Sequence, residues 1–325
     1  VRGFAALRIE WRAVHKRIAK PSRSAEKPLI RPSGTFSPPS RGEGKKAVLL
    51  LLAIVIAAVW PVSVRASEPP ARVVSLNLCL DQLALALAAP GQLVGVADVT
   101  QDAHLSARWQ QARTLPAVEM RVEEILALRP DLVLIDANAP AHVVALLRRA
   151  GVRVASVPDA ATFEQGLARV RAVAAALGHA EAGETLANDM QRRHDEIVST
   201  RGSGQPLAAV WQANGFTVGA GTVPDDLLRR AGFRNLAAER GTGPFEPLPL
   251  EILVRAAPDV LILDGATSDR PSLAEALMTH RAVRHAFEGS RTLVMPHSLW
   301  LCAGPQNLEA LERLTAAHRA LGRGS

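Results

Sequence analysis

The chain has 325 residues, 48% of them hydrophobic and 21% charged, which is material for about two domains and excludes a wholly disordered polymer. Its 2 cysteines exclude a disulfide-dense scaffold, a four-cysteine zinc site and a cysteine-ligated iron–sulfur cluster, and a complete lack of tyrosine excludes tyrosinate ligation of bare ferric ion. The net charge of +7 resides in the first 66 residues, which hold 13 Lys+Arg against 3 Asp+Glu and every lysine. The remaining body is mildly acidic and offers no basic face, so no nucleic-acid partner is expected.

Residues 1–44 are rich in Arg, Pro and Ser, without apolar periodicity, and read as a disordered or mis-started leader: the chain begins with Val and its first Met is Met120. Residues 45–66, KKAVLLLLAIVIAAVWPVSVRA, place two lysines before an apolar run and end on Val-Arg-Ala. That is the pattern of a secretory signal peptide, with cleavage expected after Ala66; the run is short of the ~20 residues that span a bilayer. The expected location is the periplasm.

The body opens with RVVSLNLCLDQLALALA, which reads as a strand, a polar turn and a helix begun near Asp81. Residues 122–137, VEEILALRPDLVLIDA, then align without gaps to residues 250–265, LEILVRAAPDVLILDG, so that Glu123, Pro130, Asp131 and Asp136 recur as Glu251, Pro258, Asp259 and Asp264. Each copy reads as a short helix stopped at Pro-Asp, then a strand buried on both faces and closed by an Asp. Between the copies, residues 162–201 have helical composition, and residues 206–232 repeat the strand, turn and helix order of the opening segment. The expectation is an α/β protein of two similar lobes with mainly parallel sheets: a first lobe at 72–178, one long rigid helix at 180–201 and a second lobe at 206–322. A ligand cleft belongs where the carboxyl ends of the two sheets face each other.

Taken in order with the signal peptide, RVVSLNLCLDQLALALA, the duplicated segments, the long interlobe helix and the closing PHSLWLCAGPQNLEALERL resemble the periplasmic substrate-binding proteins of ABC importers for ferric siderophores and cobalamin, over about residues 72–321. The resemblance implies the bilobed, chelatase-like fold and capture of a ferric siderophore-type chelate, with cobalamin as the alternative. A scaffold or signalling protein and a metal-chelate enzyme are the alternatives of another class. The implied partners are an ABC permease dimer with its cytoplasmic ATPases. The protein is expected to be a monomer, not an enzyme, and to have no cofactor of its own, the metal belonging to the cargo. The family's permease-docking glutamates lie seven residues before the Pro-Asp, which carries the role to Glu123 and Glu251.

Strand-end loops nominate the ligand contacts: Asn77, Cys79, Thr100, Arg121 and Asn138 from the first lobe, and Trp211, Asn214, Phe245, His297 and Trp300 from the second. Trp211 and Trp300 offer aromatic faces for a flat ligand, with burial in the core as the other reading. Arg121 suits a pair of ligand oxygens, or else an ion pair with Glu119 or Glu123. Cys79 and Cys302 fall on opposite lobes; a disulfide that pins the cleft, two free thiols and direct metal ligation all remain open. No P-loop, HExxH, GxSxG or GxGxxG motif occurs.

Overall fold

A computed structural model describes residues 68–265, 281, 285, 287 and 292–322. The expected leader and signal peptide lie outside the described residues. Among those described, no helix is long and apolar enough to cross a membrane.

The first sheet is wholly parallel. Its strands β1 (Val73–Ser75), β2 (Leu93–Ala97), β3 (Ala117–Val118), β4 (Leu132–Asp136) and β5 (Arg153–Val157) stand in the order β3-β2-β1-β4-β5. Alternation along the strands decides the packing. Val73, Leu132 and Leu134 enter one core with helix α1 (Leu78–Leu87), whereas Val74 and Val133 enter a second with α2 (Val122–Ala127) and α3 (Ala141–Arg149). Both faces are therefore covered, as parallel sheets require.

Two helices follow. Thr162 caps α4 (Phe163–Leu177) by accepting from the Gln165 N–H, and Gly178 ends it with φ 82°. Helix α5 (Ala180–Ser199) then runs antiparallel and so close to α4 that a Cβ at Gly183 would overlap Ala174. Ala187 and Met190 on α5 join the first core, while Ile197 and Val198, further along, pack on the core of the second sheet. One stiff element thus serves both lobes.

The second sheet has β6 (Leu207–Trp211), β8 (Arg234–Asn235), β10 (Val260–Asp264) and β11 (Thr292–Met295) in the order β11-β10-β6-β8; all pairings are parallel. A separate antiparallel pair, β7 (Phe216–Val218) and β9 (Phe245–Pro247), follows the end of β6. Ala208, Val210, Val260 and Ile262 face a core shared with α6 (Val223–Arg230) and the final helix α8 (Asn307–Leu321), and Ala209, Trp211 and Leu261 face one shared with α7 (Leu250–Ala256).

The duplication has a structural meaning at each repeated position. Arg129 and Ala257, both just before the Pro-Asp, take positive φ of 49° and 44°, because proline disfavours a right-handed helical residue before it and the chain must turn sharply into a strand. The following aspartates tie down the neighbouring strand: Asp131 accepts from the Ala71 and Arg72 N–H groups, and Asp259 accepts from the Leu207 N–H at 2.7 Å.

Polar ties join α4 to the second half of the chain. Asp226 on α6 accepts from the Phe163 N–H at 2.9 Å and from Arg230 at 2.7 Å, while Arg230 also reaches Glu164 and His194. His194 stacks on Phe163. Cys79 and Cys302 form a disulfide, so of the three readings of these cysteines the structure takes the bridge. It links the start of α1 to the segment beyond β11.

Candidate functional site

Register places the two lobes' strand ends in correspondence. β1 pairs with β4 as β6 pairs with β10, with Val73 opposite Leu132 and Ala208 opposite Val260, so Asn77 of the first lobe answers to Gln212 of the second. Each donates its amide to the aspartate that closes the adjacent strand: Asn77 to Asp136 at 3.1 Å, Gln212 to Asp264 at 2.6 Å. The outer strands extend the match. Val157 stands opposite Asp136 and Met295 opposite Asp264, each followed by a proline, which makes Asp159 the counterpart of His297.

These counterparts differ in chemistry. Asp159 is 57% exposed; it accepts from Asn138 at 2.8 Å and from Arg169 at 3.3 Å. Arg169 is a buried cation whose charge is disfavoured by desolvation and sustained by Asp159 and Asp136. The Asp264 carboxylate is enclosed, only 1% exposed, and can only accept, so His297 donates from Nδ1 at 2.8–2.9 Å. That bond leaves Nε2 with its lone pair. Among the described residues Nε2 has no partner, and it is not enclosed.

Aromatic surface comes from the short antiparallel pair. Phe245 is 57% exposed and Phe216 39%; Phe216 is anchored beside Gln212 by the bond from the Gln212 N–H to its carbonyl, 2.8 Å. The Asn214-Gly215 turn that produces this reversal holds both residues at positive φ, and the Asn214 side chain is exposed. A cavity of 550 Å³ also lies between the loop after β2 and the segment after β11, with Trp109, Arg108, Ser298, Leu299 and Gln306 among its walls. Larger cavities, of 720 and 850 Å³, open between the Gly202–Gly204 turn and β8 and along the first turns of α5.

Several expected contacts are corrected. Trp211 is the last residue of β6, where alternation turns it into the core, its indole N–H on the Leu248 carbonyl; Trp300 is fully buried in the other core of that sheet. Neither presents a face to a ligand. Thr100 is fully buried and donates to the Asp81 carboxylate at 2.5 Å. Arg121 is exposed but paired with Glu119 and Glu124, which raise its pKa. Asn77 caps α1 by accepting from the Cys79 and Leu80 N–H groups, and the Cys79 thiol is consumed by the disulfide. Of the expected contacts, only Trp211, Trp300 and Thr100 are enclosed in the core; Asn77, Cys79 and the half-buried His297 stay partly accessible, and Arg121, Asn138, Asn214 and Phe245, the last at the start of β9, are exposed.

Three residues at the site were not nominated. Asp159 was signalled by the Val-Pro-Asp and Met-Pro-His parallel, which extends the repeat. Phe216 was signalled by the Asn-Gly turn before it, and Trp109 by its setting between Arg108 and two glutamines. The Arg113 guanidinium lies 4.7 Å over the Trp109 ring.

The sequence profile described as "Periplasmic binding protein" matches residues 73–286. The chain belongs to that family. A "Cobalamin-binding protein" of Halobacterium salinarum is 28% identical over 220 residues, 66% of this chain and 59% of the relative, so the chain spans about three fifths of that relative's length. An "Uncharacterized ABC transporter substrate-binding lipoprotein" of Bacillus subtilis is 23% identical over 258 residues, 76% of this chain and 79% of the relative. Among solved structures, the apo periplasmic heme-binding protein RhuT of Roseiflexus sp. RS-1 has a TM-score of 0.66 at 27% identity, covering 77% of this chain and 98% of that one. The periplasmic vitamin B12 binding protein BtuF of Vibrio cholerae, at 20% identity and a TM-score of 0.62 over 78% and 99% of the two chains, shares the fold.

Proposed function

We propose that this periplasmic binding protein captures an intact metal chelate for an ABC importer, and that the chelate is a corrinoid. The charge of the strand ends carries this reading. In the first lobe Asp98, Asp136 and Asp159 stand at the carboxyl ends of β2, β4 and β5; of the cations nearby, Arg169 is buried and engaged by Asp159, and Arg121 after β3 is paired with Glu119 and Glu124. Carboxylates in that position repel an anionic cargo and accept hydrogen bonds from amide N–H groups. Cobalamin bears a rim of amides and no carboxylates, and its single phosphodiester is balanced by the charge of the cobalt–corrin centre. Haem carries two propionates, and a ferric tris-catecholate is a net anion. The 28% identity to a protein named for cobalamin agrees with this choice.

Of the ferric chelates favoured by the sequence resemblance, the uncharged hydroxamate type fits the same electrostatics and is the second reading. The cargo leaves chemically unchanged in either case. Calorimetric titration with cyanocobalamin, haemin and a ferric trihydroxamate tests the assignment. Sub-micromolar binding of cyanocobalamin is expected; tight binding of haemin with no heat from cyanocobalamin would overturn it.

Delivery rests on Glu123 and Glu251. Both are exposed in the first turns of α2 and α7, the helices related by the duplication. Glu123 stays clear of the Arg121 pairings made by its neighbours Glu119 and Glu124. Two such anionic points set the register against basic permease loops. Glu123→Ala with Glu251→Ala is expected to abolish uptake in cells and leave cargo affinity unchanged; a loss of affinity would refute the docking role.

A further inference from the structure

The observation that the cargo reading leaves unused is the direction of the His297 ring. A histidine at a strand end that needed only to fill space would have no reason to be held by a buried carboxylate. Here Asp264, itself fixed by Gln212 at 2.6 Å, accepts the hydrogen bond from Nδ1–H, so the neutral ring has a single tautomer with the Nε2 lone pair unused. An enclosed carboxylate behind one nitrogen and an open lone pair on the other is the arrangement that orients an imidazole for a metal and increases its basicity. The first lobe has an aspartate at the corresponding position, so the imidazole is a property of one side of the cleft alone.

We propose that His297 Nε2 ligates the metal of the bound cargo at an exchangeable axial position, with Asp264 as the positioning residue. The inference rests on the corrinoid reading for its first choice of cargo. The step is a ligand exchange. The Nε2 lone pair forms the new cobalt–nitrogen bond, the cobalt–oxygen bond to the axial water breaks, and the water leaves with its electron pair. The oxidation state of the metal does not change. Phe216 and Phe245 are exposed on the strand pair that is joined to Gln212, whose amide also holds Asp264. The device therefore distinguishes cobalamins by axial ligand: a form whose upper position holds water engages His297, and one whose upper position holds cyanide does not.

The test uses aquocobalamin, cyanocobalamin and haemin with the wild-type protein, His297→Ala and Asp264→Asn. Absorbance spectra report axial ligation, and calorimetry reports binding separately. Wild-type protein is expected to shift the aquocobalamin spectrum to that of an imidazole adduct and to leave the cyanocobalamin spectrum unchanged. His297→Ala is expected to abolish the shift and weaken aquocobalamin at least tenfold, a larger factor than its effect on cyanocobalamin. Asp264→Asn is expected to retain binding with a weaker adduct. Aquocobalamin bound without a spectral change would overturn the ligation and leave the corrinoid reading standing. If no corrinoid binds but haemin gives an imidazole spectrum that His297→Ala abolishes, the ligation stands and the corrinoid reading falls. With no adduct from either metal complex, the inference is wrong.

Discussion

Replacing Cys79 and Cys302 by alanine removes a covalent tie between positions 223 residues apart. Closing a loop of that length lowers the entropy of the unfolded chain by about 18 cal/mol/K, or about 5 kcal/mol at room temperature. The figure is insensitive to how the protein unfolds. If the second lobe opened alone, the constrained loop would run from the end of α5 to Cys302, about 100 residues, and the value would still be about 4.7 kcal/mol. Residual structure in the denatured chain reduces the effect, so a loss of about 3–5 kcal/mol is expected. In guanidinium chloride, with a slope of about 5 kcal/mol per molar for a chain of this size, the midpoint should fall by about 0.6–1 M. Wild-type protein kept reduced should coincide with the double variant, which separates the cross-link from the side chains. A midpoint shift under about 0.2 M in both would refute the reasoning, because the bridge would then be holding together segments that stay together without it.

Asp81 predicts a pH dependence: burial raises its carboxyl from 3.8 to about 7. Between those values the folded protein holds a proton that the unfolded chain releases, so this contribution to stability is greatest below about pH 4 and falls as pH rises toward about 7, by on the order of a few kcal/mol. Asp81→Asn should flatten that decline in a pH series of denaturant midpoints; wild-type and variant curves that run parallel would refute it. The tryptophans make a contrast. Trp211→Ala opens a cavity in a full core and is expected to cost about 3–5 kcal/mol, whereas Trp109→Ala should change stability by less than about 1 kcal/mol and weaken cargo binding. Melting curves and titrations of both variants check this, and equal losses of stability would refute it.

The sequence already contained most of the architecture. Strand, helix, Pro-Asp and closing Asp are local signals, and their recurrence at a fixed offset required two lobes with parallel sheets. The interlobe helix was legible because 162–201 lacks any breaker except three glycines, and each has a packing role: Gly166 lies against Ala303, Gly178 ends α4, and Gly183 admits α5 to it. The site was legible only in part. Trp211 and Trp300 were nominated because they sit where strands end, but side-chain direction, not position, decides exposure. For Trp211 the direction was available, since Ala209 and Trp211 alternate against Ala208 and Val210. Thr100 was beyond such reasoning. Its partner Asp81 reaches it from a different strand-helix unit, and nothing along the chain announces that pairing. The disulfide was undecidable for the same reason: it depends on a loop after β11 returning to the start of α1.

The duplication gives the site its logic as well as its fold. Two related lobes place equivalent backbone around the ends of their sheets, and the amide-to-carboxylate pairs Asn77–Asp136 and Gln212–Asp264 retain that equivalence. A corrinoid, the cargo proposed above, lacks such symmetry: its two faces carry different axial groups. A cleft that kept both halves alike would offer each face the same contacts and could not fix the orientation of the cargo. The departure from symmetry falls at the residue after Pro158 and Pro296, where one lobe has an exposed carboxylate held by Arg169 and the other an imidazole held by Asp264. A carboxylate accepts from amide N–H groups at the macrocycle rim, whereas a neutral imidazole donates its lone pair to a metal. Exchanging the two, Asp159→His with His297→Asp, should therefore abolish the imidazole adduct even though both residue types remain in the cleft, because neither Asp136 nor Arg169 provides the enclosed acceptor that fixes the tautomer at Asp264. An adduct that survived the exchange would mean that any histidine in this cleft can reach the metal, and that the orientation imposed by Asp264 is dispensable.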